Sequence, residues 1–170
     1  GPNVTATKRV LDLASNDATL RKALQETAID NMLVVTMANL PHADLALNLA
    51  FSAVRVGAPL FAFALSEATY DKLRRHNVAC GKLPTLFGGV DGRRDVQSAG
   101  FSEIAVLKPI AVAITLRASI QVVWWVDTDV VLLRDLPSSR AAFAIQAGGL
   151  HARDYAINED QFHAEQCTGV

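Results

Sequence analysis

Apolar positions along this chain recur in two rhythms, one helical and one of short unbroken runs. Residues 7 to 29 carry apolar side chains at helical spacing, which predicts a helix with Val10, Leu11, Leu13, Leu20, Leu24 and Ile29 as core positions. Residues 32 to 37 form a short apolar run broken only by Thr36, a first predicted strand. Asn39-Leu-Pro41 interrupts it. Helical spacing returns over residues 43 to 56 through Leu45, Leu47, Leu49, Phe51 and Val54, and Gly57-Ala-Pro59 closes that helix with breaker residues. Residues 60 to 65 predict a second strand, and residues 69 to 76 a short helix with Lys72, Arg74 and Arg75 outside. Residues 77 to 100 are punctuated by Gly81, Gly88, Gly89, Gly92 and Gly100 and read as a loop region. Another helical segment spans about 102 to 118, broken or restarted at Pro109, and residues 122 to 126 predict the third strand.

Strand, helix, strand, helix, strand predicts an α/β domain: a mainly parallel sheet with right-handed crossovers and flanking helices. Composition agrees. The apolar share is 51% and the aromatic share only 6%, so the interior is aliphatic and rich in Ala and Val. A length of 170 residues suits one domain, residues 1 to 170. The formal net charge of -1 gives no footprint for nucleic acid. No apolar run reaches the length of a membrane span, and Gly1-Pro-Asn-Val-Thr has neither the charged nor the apolar region of a signal peptide. Cys80 and Cys167 lack metal-ligand spacing; two buried thiols and one disulfide both stay open.

The chemistry concentrates in Gln121-Val-Val-Trp-Trp-Val-Asp-Thr-Asp-Val-Val-Leu-Leu-Arg-Asp135. An apolar run, residues 122 to 126, reads as a strand buried on both faces, and it ends in Asp127 and Asp129. In extended backbone, residues i and i+2 point to the same side. The two carboxylates can then converge on a hard divalent cation with phosphate oxygens beside it. In parallel sheets ligands bind at the carboxyl ends of strands. The other ends fall at Thr36, Met37, Ala38 and Asn39, and at Ser66 and Glu67, so three strand ends are expected to line one crevice. No glycine-rich phosphate loop follows the first strand, so a diphosphate here needs a metal and basic side chains. Plainer readings stand beside these. Asp127-Thr-Asp129 can be a turn with exposed acids. Lys108 can snorkel from an apolar helix face, Arg134 and Asp135 can pair at the strand exit, and Arg93 and Arg94 can sit in a solvated loop. Trp124 and Trp125 face opposite sides of their strand, and core packing is the default for both.

Trp125-Val-Asp-Thr-Asp-Val-Val-Leu-Leu-Arg-Asp135 resembles the DxD segment of the nucleotide-diphospho-sugar transferases, a GT-A-fold family that includes the rhamnogalacturonan xylosyltransferases. Met32-Leu-Val-Val-Thr-Met-Ala-Asn39 is similar to that family's first strand, and Ala64-Leu-Ser-Glu-Ala-Thr-Tyr-Asp-Lys-Leu73 to its second strand and turn. Leu107-Lys-Pro109 stands where the family carries a lysine-containing helix, and Cys167-Thr-Gly169 resembles its Asn-Thr-Gly segment. The likeness covers roughly residues 30 to 170. It departs at Ser66, where the family usually has Asp, at Cys167, and at Val170, where the family continues into its acceptor-binding half. The resemblance thus implies a GT-A-like Rossmann-type fold, C-terminally truncated.

The resemblance further implies a metal-dependent glycosyltransferase that moves a sugar from a nucleoside-diphosphate sugar to a glycan or glycoprotein acceptor. Asp129 ligates Mn2+ or Mg2+ directly; Asp127 reaches the ribose, the sugar or the metal through water. Lys108 takes a phosphate or substrate role. Thr36, Met37, Ala38, Asn39, Ser66 and Thr128 join these three in donor binding. A further metal ligand, often histidine, lies beyond the DxD in related enzymes; His151 and His163 are downstream, and neither matches an assigning motif. The related enzymes work in the Golgi lumen, which implies a parent with an N-terminal anchor. Two rivals stay open. A haloacid-dehalogenase-like phosphatase would use Asp127 as nucleophile and Asp129 as general acid, but that motif normally opens its domain, and no lysine follows Lys108 here. The other is an inactive nucleotide-sugar-binding domain.

Overall fold

The computed structural model describes residues 4 to 84 and 99 to 133, all within one unit, Gly1–Leu133. At its centre is a sheet of four parallel strands, β1 (Met32–Ala38), β2 (Leu60–Ala64), β3 (Cys80–Lys82) and β4 (Val122–Trp125), in the order β3-β2-β1-β4. Every residue of β1 and β2 is buried, as their unbroken apolar runs require. Pairing runs Val34 with Leu60 to Ala38 with Ala64 on one side of β1, and Met32 with Val122 to Val35 with Trp125 on the other.

The two faces of this sheet differ in bulk. Leu33, Val35, Met37, Phe61 and Phe63 meet α1 (Val4–Ser15), α2 (Ala18–Thr27) and α5 (Ala99–Arg117) through Val10, Leu20, Leu24, Leu107, Ile110 and Ile114. The rings of Phe61 and Phe63 pack edge to face at 5.3 Å. Burying each contributes about 1.5–3 kcal/mol. The opposite face presents Ala38, Ala62 and Ala64 to α3 (Ala43–Arg55) and α4 (Glu67–Arg75), through Ala46, Leu47 and Leu73.

That asymmetry corrects several expectations. The buried stripe of α3 consists mainly of Ala43, Ala46, Leu47, Leu49, Ala50 and Ala53, whereas Phe51 is 60% and Val54 79% exposed. Ala38, Ala62 and Ala64 are matched by a helix stripe rich in alanine, in which Leu47 and Leu49 also pack, while Phe51 and Val54 turn outward. The single helix expected over residues 7 to 29 is two helices. Asp17 caps the second, its Oδ1 accepting from the backbone N–H of Thr19 and Leu20 at 2.9 and 3.0 Å. Leu13 and Ile29 are consequently exposed. Helix α5 runs unbroken through Pro109, which lies on its exposed side while Leu107, Ile110, Ala111 and Ile114 stay packed.

Strand β3 lies inside the segment read as loop. Its three residues, Cys80-Gly-Lys82, carry no alternation to read. Gly81 is there for space: a Cβ would meet Leu20 Cδ1 at 2.5 Å and Phe61 Cζ at 3.1 Å. Strand β4 is only half-buried along its length and, among the described residues, pairs with β1 alone, so Val123 lies at an edge rather than in a buried central strand. No helix among the described residues is long and apolar enough to cross a membrane.

Candidate functional site

Chain order runs outward from β1 through β2 to β3 and then returns to the far side of β1 for β4. The carboxyl ends of β1 and β4 therefore meet where the strand order reverses, the place where open parallel sheets leave a crevice. The acids arrive at that point. Val126 still donates its N–H to Val35 O at 3.0 Å, and the backbone then leaves the sheet. Val130 N–H donates back to Asp127 O at 3.3 Å, which makes Asp127 to Val130 a turn. The extended geometry expected to aim Asp127 and Asp129 to one side is thus absent; both acids are exposed on a turn, the plainer of the two sequence readings. The apolar run after them is coil. Leu132 N–H donates to Ser52 Oγ on α3, while Val131 and Leu133 are exposed.

Asp127 is the centre of a cluster. Lys108 Nζ, from α5, lies 2.6 Å from Asp127 Oδ1, and Trp125 Nε1 donates to the same oxygen at 3.0 Å. The lysine ammonium also sits 5.7 Å from the Trp125 ring centroid. Trp125 can do this because it leaves β4 on the α5 side, packed against the large apolar cluster. Partial burial pushes the Asp127 carboxyl up, but the two hydrogen bonds and the lysine charge outweigh it, and the group titrates below the ordinary aspartate range. Both donors use Oδ1, and Oδ2 of Asp127 accepts no hydrogen bond among the described residues. Asp129 has no hydrogen bond or ion pair among the described residues.

The β1 end forms the neighbouring wall. Thr36, Met37, Ala38 and Asn39 are all buried. Thr36 Oγ1 is a buried hydroxyl with no hydrogen-bond partner among the described residues, on the face toward α3. Asn39 precedes a short 3-10 turn, Leu40–His42, and its Oδ1 accepts from His42 Nδ1 at 2.5 Å. His42 went unnoticed in the sequence; the Asn-x-x-His spacing across a proline turn is the signal that brings it to this end of the sheet. Ser66 acts locally. Its Oγ caps α4, accepting from Thr69 N–H at 3.2 Å and bonding Thr69 Oγ1 at 2.9 Å.

The donor set fits a hard cation in part. Asp127 Oδ2 and the Asp129 carboxylate supply hard oxygens, while no group of three or more His, Cys, Asp or Glu able to hold a metal occurs among the described residues. Remaining ligands would have to come with the bound anion or from elsewhere in the chain. His151, His163, Cys167, Arg93, Arg94, Arg134 and Asp135 lie outside the described residues. Cys80 is a free, buried thiol, pushed up to about 11 by burial against a smaller opposing effect of Arg74. An open groove lined by Lys8, Arg9, Asp12, Leu13, Asn16 and Asp17 includes none of the strand-end residues. Comparison with protein-family models, curated proteins and solved structures gives no match to this chain.

Proposed function

We propose that this chain binds a nucleoside-diphosphate sugar at the junction of β1 and β4 through a divalent cation, as the donor-binding part of a GT-A-type glycosyltransferase site. One observation carries the reading: the Lys108–Asp127 pair sits at the carboxyl end of β4, beside the end of β1, where the strand order reverses, with Asp129 two residues further along the same turn. Asp129 is the direct metal ligand. Asp127 is oriented by Lys108 and Trp125, which leaves Oδ2 for the ribose, the sugar or a metal-bound water. Among the described residues Lys108 offers the positive charge of that cluster, suited to a phosphate. The end of β1, from Thr36 to Asn39, walls the nucleoside side. Mn2+ or Mg2+, when bound, neutralises the charge that builds on the leaving diphosphate. A secretory-pathway parent and a glycan acceptor belong to the same proposal.

Calorimetric titration with uridine diphosphate and its sugar conjugates, with Mn2+ and again in chelator, tests this. Binding that needs the metal is the expected result; tight binding in chelator, or none under either condition, overturns it. Release of free nucleotide on addition of an acceptor separates a transferase from a domain that only binds. The phosphatase rival predicts turnover of a simple aryl phosphate.

A further inference from the structure

Helix α3 covers the sheet with one stripe and turns another outward. Its exposed residues are Asp44, Leu45, Asn48, Phe51, Val54 and Arg55. Asp44, Asn48, Phe51 and Arg55 recur at intervals of four, three and four residues, so they form one line along the helix. Leu45 and Val54 flank that line on either side. The segment after β4 adds to this surface: Leu132 N–H donates to Ser52 Oγ, which brings the exposed Val131 and Leu133 beside α3. Large apolar side chains gathered on one exposed face mark an interaction surface.

The order of charges along that line says which partner fits. Positions 44 and 55 lie equally far from the middle of α3, as do positions 48 and 51. When two copies of α3 pack antiparallel about a two-fold axis, Asp44 meets Arg55 of the second copy and Asn48 meets Phe51 of the second copy, each contact made twice. The two Phe51 rings then fall about 4.5 Å apart along the helix axis, close enough to pack on each other. The charges are placed to take part. The Asp44 side chain is 77% exposed while its Oδ1 holds Lys72 Nζ at 2.8 Å, and Arg55 has no ion pair among the described residues. We propose that α3 is a self-association face, pairing antiparallel with α3 of a second copy of this chain through Phe51 and two Asp44–Arg55 bridges. A contact one helix wide is small, so the dimer is reversible rather than obligate. The inference is independent of the nucleotide-sugar reading.

Sedimentation velocity over a concentration series of the full chain tests this. Asp44, Phe51 and Arg55 are exposed, so no substitution at them empties the core, and circular dichroism checks the fold of each variant. Wild type should pass from monomer to dimer as concentration rises. Phe51→Ser should weaken the dimer about a hundredfold, since both copies lose a ring. Arg55→Asp sets two acids against each other at each end of the interface, and Asp44→Arg sets two arginines there; each should weaken the dimer about tenfold. Mixed together, these two charge variants should associate about as well as wild type, because each end again holds one acid and one arginine. A wild type that stays monomeric at every concentration overturns the proposal. So does Phe51→Ser or Arg55→Asp dimerising as strongly as wild type, and so does a mixture of the charge variants that associates no better than either one alone.

Discussion

At the scale of single residues, Asp127 and Asp129 are chemically alike and environmentally different. Asp129 stands alone on its turn among the described residues, so Asp129→Asn removes a charge without stranding a partner. It should leave the circular dichroism spectrum unchanged and weaken Mn2+-dependent nucleotide binding by at least tenfold in calorimetry; equal affinity would remove it as a ligand. Asp127 couples instead to stability. Its folded carboxyl is lowered, so its contribution is fully present above the ordinary aspartate value, about 3.9, and is lost as pH falls through the lowered folded value. Both partners are more than a third exposed, which limits the contribution to about 1 kcal/mol or less. Urea melts of wild type and Asp127→Asn should therefore differ slightly at neutral pH and coincide once the carboxyl is protonated. A gap that widens in acid would contradict the assignment. The types of these residues were legible in the sequence, as was Lys108. Their arrangement was not, because a turn after Val126 replaces the strand geometry that period-two reasoning assumed.

At the scale of elements, the informative contact is α2 against β3. Leu20 reaches over Gly81 so closely that a methyl there would overlap its Cδ1. Gly81→Ala should cost about 1–3 kcal/mol by overpacking. Leu20→Ala removes the obstructing carbon, so the double variant should be less destabilised than the sum of the two singles in urea melts. Simple additivity would mean that Gly81 matters for its backbone rather than its space. The same helix shows why a boundary was missed. Asp17 is invisible to a count of apolar periodicity, because its effect lies in hydrogen bonds to Thr19 and Leu20 N–H. Asp17→Ala should cost about 1 kcal/mol. The strands β1 and β2 were readable because they are central and buried on both faces. Strand β3 was not, since three residues with a glycine carry no pattern and owe their form to pairing with β2.

At the scale of the whole molecule, Cys80 reports on the cooperative unit. Its thiol is buried at the end of the strand order and pushed up to about 11, so at mildly alkaline pH it is neither exposed nor ionised. In a Cys167→Ser background, alkylation of Cys80 should be slow in native buffer and should accelerate with urea in step with global unfolding. Rapid labelling without denaturant would show that the β3 edge opens locally.

The chain's own pattern determined the class of this protein. Short continuous apolar runs alternating with helical segments favour a parallel sheet covered by helices, whatever their order in space. It also determined which residues carry charge worth explaining: Lys108, Asp127 and Asp129. Strand order is a different kind of fact. Placing β4 beside β1 goes with long-range packing of α5 against both strands, which no local window contains. Only that packing brings Lys108, nineteen residues upstream, onto Asp127. The match of Ala38, Ala62 and Ala64 to the alanine-rich stripe of α3 likewise became visible only when sheet and helix met, because small side chains are chosen by the distance between two elements and not by the rhythm of either one.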